Sequence, residues 1–478
     1  MLDRAVGAAM VCLAKKTAAR AWLQGAAIAA LSAALLTSGA RAETIGGALA
    51  KAYLNNPDIN QQRAAVRAQD ENIPKANAGY LPTVTAQGSA GRMQTEEDDV
   101  SGTGANYKST TSPRGYGLTV TQSVWNGDRT GNSVRQAESA VFGARELLRN
   151  TVQNVLLNAV TYYMDVLRDT AILDLDRNNV EVLQEQLRQT QDRFNVGEVT
   201  RTDVAQAEAS LAGARATALG AQSQLQASLA NYRQVIGDDP KSLTPVAPLH
   251  RQLPKVLPEA IAASQLEHPA IVAMLHGIDA AALQVKIAEG ALYPTVGVTG
   301  QLQKRFDYNG TPGEQLYTAS IVGQVSVPIY DGGLSYATTR QAKEQLSQTE
   351  LQTDLQRDKV RAAVVAAWGA NENSSGVLRA ARAEVQAAEV ALAGVREEAK
   401  VGQRTTLDVL NAQQTLLNAR VQLVTAQHDS VVNSYSLLSA VGRLSIQTLG
   451  LAVPEYDPRI HFDQVKNKLF GVRTPDGK

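Results

Sequence analysis

The sequence predicts a mainly α protein with a small β part: a long α-helical barrel continuous with a transmembrane β-barrel, four strands per protomer, built as an internal tandem repeat. Three observations carry this reading. Residues 400–420 align without a gap on residues 195–215, placing Val401 on Val196, Gly402 on Gly197, Thr405 on Thr200 and Asp408 on Asp203. No proline interrupts the chain between Pro113 and Pro240, or between Pro328 and Pro454. Each half also holds two short runs that alternate polar and apolar residues, the period of a strand with one wet and one dry face.

Each aligned turn reads as a helix ending at a glycine, a tight turn, and a second helix opening on Thr-x-x-Asp. The threonine hydroxyl and the acid three residues later can satisfy backbone donors that a helix start leaves unpaired. Two long helical hairpins follow. Phe, Trp and Tyr together make up only 5% of the 478 residues, too few for thick globular cores. Thin helical packing needs less bulk, because each helix buries one stripe.

Residues 1–42 carry Arg4, Lys15, Lys16 and Arg20, then an apolar run over 26–36, then Ala40-Arg41-Ala42. This is the pattern of a secretory signal peptide with the mature chain starting at Glu43. A membrane anchor is the alternative, but the run is shorter than the roughly 18 to 20 residues a span needs. The single cysteine, Cys12, leaves with the signal, so disulfides play no part. Removing 1–42 takes five basic residues and one acid and leaves 41 basic against 45 acidic. That balance argues against nucleic acid as a partner.

The first repeat is assigned to 43–240, an inter-repeat linker to 241–258, the second repeat to 259–450 and a peripheral or partly disordered tail to 451–478. In the first repeat a helix over about 57–78 precedes a β-hairpin over about 82–125, where Thr83, Thr85, Gln87 and Ser89 alternate with Val84, Ala86, Gly88 and Ala90. The second strand alternates Leu118, Val120 and Val124 with Thr119, Thr121 and Ser123. The second repeat has its helix over about 269–291 and its hairpin over about 294–329. Pro82 and Pro294 lie 212 residues apart but Gly127 and Gly332 only 205, so the first hairpin loop is seven residues longer. Both loops read as solvated. Long helices over about 128–195 and 334–400 run close to 100 Å at 1.5 Å per residue. Returning helices over about 200–236 and 405–441 are half that length, and the shorter helices before the strands can stack on their ends. Past the leader no stretch reads as long and apolar enough for a transmembrane helix, so an exported chain enters a membrane as closed β-structure. Four strands cannot close a barrel whose smallest form has about eight. Three copies give twelve strands and a twelve-helix tube.

The two Val-Gly-x-x-Thr-x-x-Asp-Val turns, the Tyr-Leu-Pro-Thr and Leu-Tyr-Pro-Thr strand starts at Tyr80 and Leu292, and the Asn126-Gly127 and Asp331-Gly332 strand ends together resemble TolC-like outer membrane efflux proteins over about 43–450. The resemblance implies a homotrimeric channel-tunnel in the outer membrane that extends into the periplasm. It also implies docking to a periplasmic adaptor and an inner membrane transporter, as a conduit for drugs or proteins. By motif position Asp408 matches an aperture acid, while the second ring position is Asn411. Arg404 matches the family's linking arginine, and Thr202 and Asp203 its partners; the family's linking tyrosine falls at Ala399. Val196, Gly197, Val401 and Gly402 stand where adaptor tips dock.

Each of these residues has a simpler explanation. Asp203 and Asp408 fill the acid position of a capping box, Arg404 can be a solvated turn residue, and Gly197 and Gly402 suit turns with positive φ. The five histidines (His250, His268, His276, His428, His461) show no metal-ligand spacing, and no motif of a cofactor site or of catalysis is present. The expectation is a non-enzymatic protein. A periplasmic coiled-coil adaptor is the other reading of long hairpins, but it predicts one hairpin among soluble β-domains, where this chain has two.

Overall fold

The computed structural model describes residues 43–97, 107–308, 312–475 and 477. The leader expected over 1–42, with Cys12, lies outside the described residues, as do 98–106 and 309–311 of the two hairpin loops. In chain order the elements are α1 (Ile45–Asn55), α2 (Pro57–Asp70), α3 (Asn72–Asn77), β1 (Thr83–Ala90), β2 (Met93–Glu97), β3 (Tyr107–Thr111), β4 (Arg114–Trp125), α4 (Arg129–Asn195) and α5 (Arg201–Ile236). They continue with α6 (Leu257–Glu267), α7 (Pro269–Glu289), β5 (Thr295–Phe306), β6 (Gln315–Ser326), α8 (Leu334–Lys400), α9 (Thr406–Ala440) and α10 (Pro458–Val465).

The long helices α4 and α8 are each 67 residues, about 100 Å. Each starts where the spacing predicts and is capped from the preceding turn: Asn126 Oδ1 accepts from the Thr130 amide at 3.3 Å, and Asp331 Oδ2 from the Ser335 amide at 2.8 Å. The returning helices α5 and α9, of 36 and 35 residues, are extended by end-to-end stacking. Asn56, the cap of α2, donates from Nδ2 to the Val235 carbonyl at the end of α5, 3.0 Å away. At the corresponding place in the second repeat, Gly442 just past α9 lies against the backbone of His268, the cap of α7.

The four principal strands form one antiparallel sheet in the order β1-β4-β5-β6. Its register aligns the apolar positions into rows: Ala86, Leu118, Leu302 and Ala319 in one, Val84, Val120, Gly300 and Ile321 in the next. Thr85, Thr119, Gln301 and Ser320 make a polar row on the other face. A register shift between Ser123 and Trp125 brings Trp125, not Val124, opposite Val296. The alternation read from sequence fails at that one position because the shift adds a residue to one strand only. Aromatic pairs sit at both ends of the apolar face, Tyr116 with Phe306 at 6.3 Å and Trp125 with Tyr293 at 6.4 Å between ring centroids. Their separation is roughly 26–30 Å along a strand, or about 20–23 Å across a bilayer when tilted.

The first hairpin loop is not wholly coil. β2 and β3 pair antiparallel within it, Glu96 opposite Lys108 with their charged groups 3.0 Å apart. The Thr, Ser and Tyr residues around Lys108 suit a pleated strand, and the facing opposite charges favour pairing.

The main core lies at mid-length, where α1, α2 and the ends of α5 and α9 wrap α4. Leu49, Ile59, Leu156, Tyr163, Tyr232 and Leu438 are buried there. The tail, expected to be peripheral or partly disordered, contributes α10. His461 is buried and binds Asp70 of α2, Nδ1 to Oδ2 2.9 Å, and the Tyr456 amide donates to Tyr53 Oη. One stretch, 257–292, does reach the apolarity of a membrane span, with a mean hydropathy of 1.4 over its best window, contrary to the sequence reading. His268-Pro269 breaks it into α6 and α7, and both pack on α8.

A charged cluster nearby ties the repeats together. Both ring nitrogens of His428 on α9 face carboxylates, Nε2 to Asp165 of α4 at 3.0 Å and Nδ1 to Asp429 at 2.9 Å. Arg168 bridges Asp165 and Asp169, and Ser228 of α5 donates to Asp169. Burial opposes the charged imidazole, but the bonds to Asp165 and Asp429 outweigh it and raise the pKa. A histidine raised above its unfolded value of about 6.5 contributes stability that is fully present below that pH and lost as pH rises through the folded value. The urea midpoint of the wild type should therefore fall more steeply above about pH 6.5 than that of His428→Asn. Parallel pH profiles for the two proteins would remove this role.

Candidate functional site

The two repeats share one geometry at the far ends of the hairpins. α4 ends at Asn195, Gly197 adopts φ +81° and its amide donates to the Phe194 carbonyl at 3.0 Å. Gly402 at φ +77° closes α8 in the same way on Ala399. A Cβ at either glycine would meet nothing within 4 Å, so only the left-handed backbone requires glycine there. Val196 and Val401 beside them are 71% and 72% exposed, two apolar side chains presented to solvent at the tips.

Both returning helices open with complete capping boxes. Thr405 Oγ1 accepts from the Asp408 amide at 3.2 Å, and Asp408 Oδ2 accepts from the Thr405 amide and hydroxyl, both at 2.9 Å. Thr200 and Asp203 repeat the arrangement. The carboxylate accepts through Oδ2 alone, so capping leaves Oδ1 of Asp408 without a protein hydrogen bond among the described residues. Capping and an electrostatic role are thus compatible in one carboxylate. Hydrogen bonds from the Thr405 backbone and hydroxyl hold Asp408 below the usual carboxylate range, and Asp203 is lowered first by the Thr200 hydroxyl. Both acids are anionic at neutral pH.

Arg404 donates from Nε to Glu398 Oε2 at 2.8 Å, across its own turn. Among the described residues no hydrogen bond joins it to Thr202 or Asp203, so one protomer does not assemble the linking set. Glu398 was missed in the sequence; its signal was the mirrored pair on the other turn, where Arg193 meets Glu198 at 3.0 Å. Leu410 was missed too. It is buried with Leu183 of α4 and Leu211 of α5, and is the apolar contact between the two hairpins near the tips. Beside it an open groove of about 370 Å³ runs between the hairpins, lined by Asp176, Asn179, Leu183, Ser210, Leu410 and Asn411. Asp176 is buried there, which pushes its pKa up, and Asn179 Oδ1 has no hydrogen-bond partner. Buried polar groups without partners weaken the hold of one element on another.

A strand sheet with one apolar face, fused to two helical hairpins about 100 Å long with capped tips, defines a protomer of a membrane channel-tunnel. The chain belongs to the outer membrane efflux protein family, which matches residues 48–238 and 260–443, one segment per repeat. It is 44% identical over 454 residues to the outer membrane efflux protein BepC of Brucella suis, covering 95% of this chain and 97% of that one. It is 26% identical over 434 residues to the outer membrane protein TolC of Escherichia coli, covering 88% and 86%. The fold is shared with the CmeC outer membrane channel of Campylobacter jejuni, with a TM-score of 0.75 at 18% identity over 88% of this chain and 89% of that one. The protein is an outer membrane efflux channel component, and the adaptor reading has no support.

Proposed function

We propose that three copies of this chain close a twelve-stranded barrel and a twelve-helix tube. The assembly is a passive conduit from periplasm to exterior, and its helical tips both gate it and dock a periplasmic adaptor that links it to an inner membrane transporter. The observation that carries this reading is the sheet itself: β1 and β6 are its two end strands, and among the described residues their outer edges have no partner strand, whereas bare edges in lipid are untenable. Pairing β6 of one copy with β1 of the next removes both.

The repeat spacing supports the same closure. After β4, Gly127 packs on Gly290 and Tyr293 of the second repeat. After β6, the equivalent Gly332 has nothing within 4 Å, and Ile329 and Tyr330 are 94% and 82% exposed. Shifted by 212 residues, the counterpart of Gly290 and Tyr293 is the 78–81 turn, which a neighbouring copy would present there.

In such a trimer three copies of Asp408 surround the axis, and their mutual repulsion favours bound cations. With Asn411 in place of a second acid, one ring sets the selectivity. Arg404 and Glu398 stiffen the turn, and release of the Leu410 seam lets the second hairpin swing from the first. The exposed Val196 and Val401 are the apolar contacts for the adaptor.

Conductance of the reconstituted protein in a planar bilayer tests the gate. Asp408→Ala is expected to lower cation selectivity and relieve block by divalent cations, and Arg404→Ser to raise the leak of the closed state. Currents identical to wild type in both would reduce these residues to helix capping and turn closure.

A further inference from the structure

The apolar face of the sheet ends, on the side away from the helices, in rows of a different character. Arg114 lies opposite Phe306, and in the adjacent row Lys304 lies between Tyr116 and Tyr317. Both cations rest on one ring: the guanidinium carbon of Arg114 is 5.4 Å from the Phe306 centroid and the ammonium of Lys304 5.0 Å. The two charges are therefore no more than about 10 Å apart. Neither pairs with a carboxylate among the described residues. Asp307 and Glu314 belong to the turn that closes this hairpin: Asp307 accepts the Gly313 amide at 2.7 Å and donates its own amide to the Glu314 carbonyl. The opposite end of the face carries no such charge, its last row being Trp125, Val296 and Val325.

Position fixes what can neutralise the pair. The alternation places Arg114 and Lys304 on the face that meets lipid, immediately beyond the apolar rows, whereas Arg305 takes the opposite parity. Cations at that depth, with their charged groups against an aromatic ring, sit where lipid headgroups begin. A forked guanidinium and a mobile ammonium held at one ring, on long side chains that can turn toward a shared anion, match the oxygens of a phosphate. We propose that Arg114 and Lys304 form, on each protomer, a binding site for the phosphate of a phosphorylated lipid of the outer leaflet, with Phe306, Tyr116 and Tyr317 as its wall. The site rests on the outward orientation of this face and is independent of the gate and of the cargo.

Native mass spectrometry of the purified protein in detergent, incubated with bis-phosphorylated lipid A or with its dephosphorylated form, tests the site. Wild type and Arg305→Gln should retain the phosphorylated lipid, while Arg114→Gln combined with Lys304→Gln should retain at least tenfold less. Lys304→Arg should keep binding that Lys304→Gln weakens, a comparison that stands even if the double variant assembles poorly. Equal retention by the double variant, equal retention of the dephosphorylated lipid, or displacement by inorganic phosphate at equal concentration would each overturn the assignment.

Discussion

Ile321→Arg is expected to abolish assembly in the outer membrane. Ile321 is 84% exposed in the protomer and lies in the row of Val84, Val120 and Gly300, in the middle of the apolar face. An arginine on the lipid side near the bilayer midplane costs about 2–4 kcal/mol, and a trimer would bear it three times. The heat-stable oligomer recovered from membranes should fall by more than an order of magnitude. Ser320→Arg, one residue earlier and on the polar row, should assemble at nearly wild-type yield. Similar yields for the two variants would mean that this face does not meet lipid, and the conduit would lose its foundation.

Gly127→Ala should be the most damaging glycine-to-alanine change among the described residues. Gly127 has φ +69°, and a Cβ there would stand 2.3 Å from the Gly290 carbonyl oxygen. Backbone cannot give way as a side chain does, and the collision adds to the left-handed strain, for a total of roughly 3 kcal/mol or more. Gly402→Ala, at φ +77° with nothing within 4 Å, should cost only about 1 kcal/mol of conformational strain. Urea midpoints of the two variants in detergent check the difference. Equal destabilisation would show that the junction between β4 and the second repeat tolerates displacement.

The legible parts of this protein were those written in near neighbours. The starts of α4 and α8, the capping boxes at Thr200 and Thr405, the turn glycines and the strand alternation each depend on residues within about four positions, and a duplicated sequence states each of them twice. The hairpin loop was half legible: its polar composition masked the β2–β3 pairing, which brings together the opposite charges of Glu96 and Lys108, twelve residues apart. The bulge before Trp125 left no mark, because nothing local distinguishes an inserted residue from a paired one.

Family position told where Asp408, Arg404 and Thr202 stand but not what they touch. Arg404 turned to Glu398, and Asp408 capped its helix through one oxygen alone, outcomes set by rotamers and neighbours across a turn. The sequence by itself therefore determined the repeat, the helix lengths, the hairpin tips and the two-faced strands, because periodicity and capping are properties of contiguous chain. Only the tertiary structure decided the clasp of His428 on Asp165 across 263 residues, the docking of His461 on Asp70 across 391, and the burial of Leu410 against Leu183 and Leu211. Those contacts arise where distant segments fold against one another, and no spacing within either segment encodes its partner.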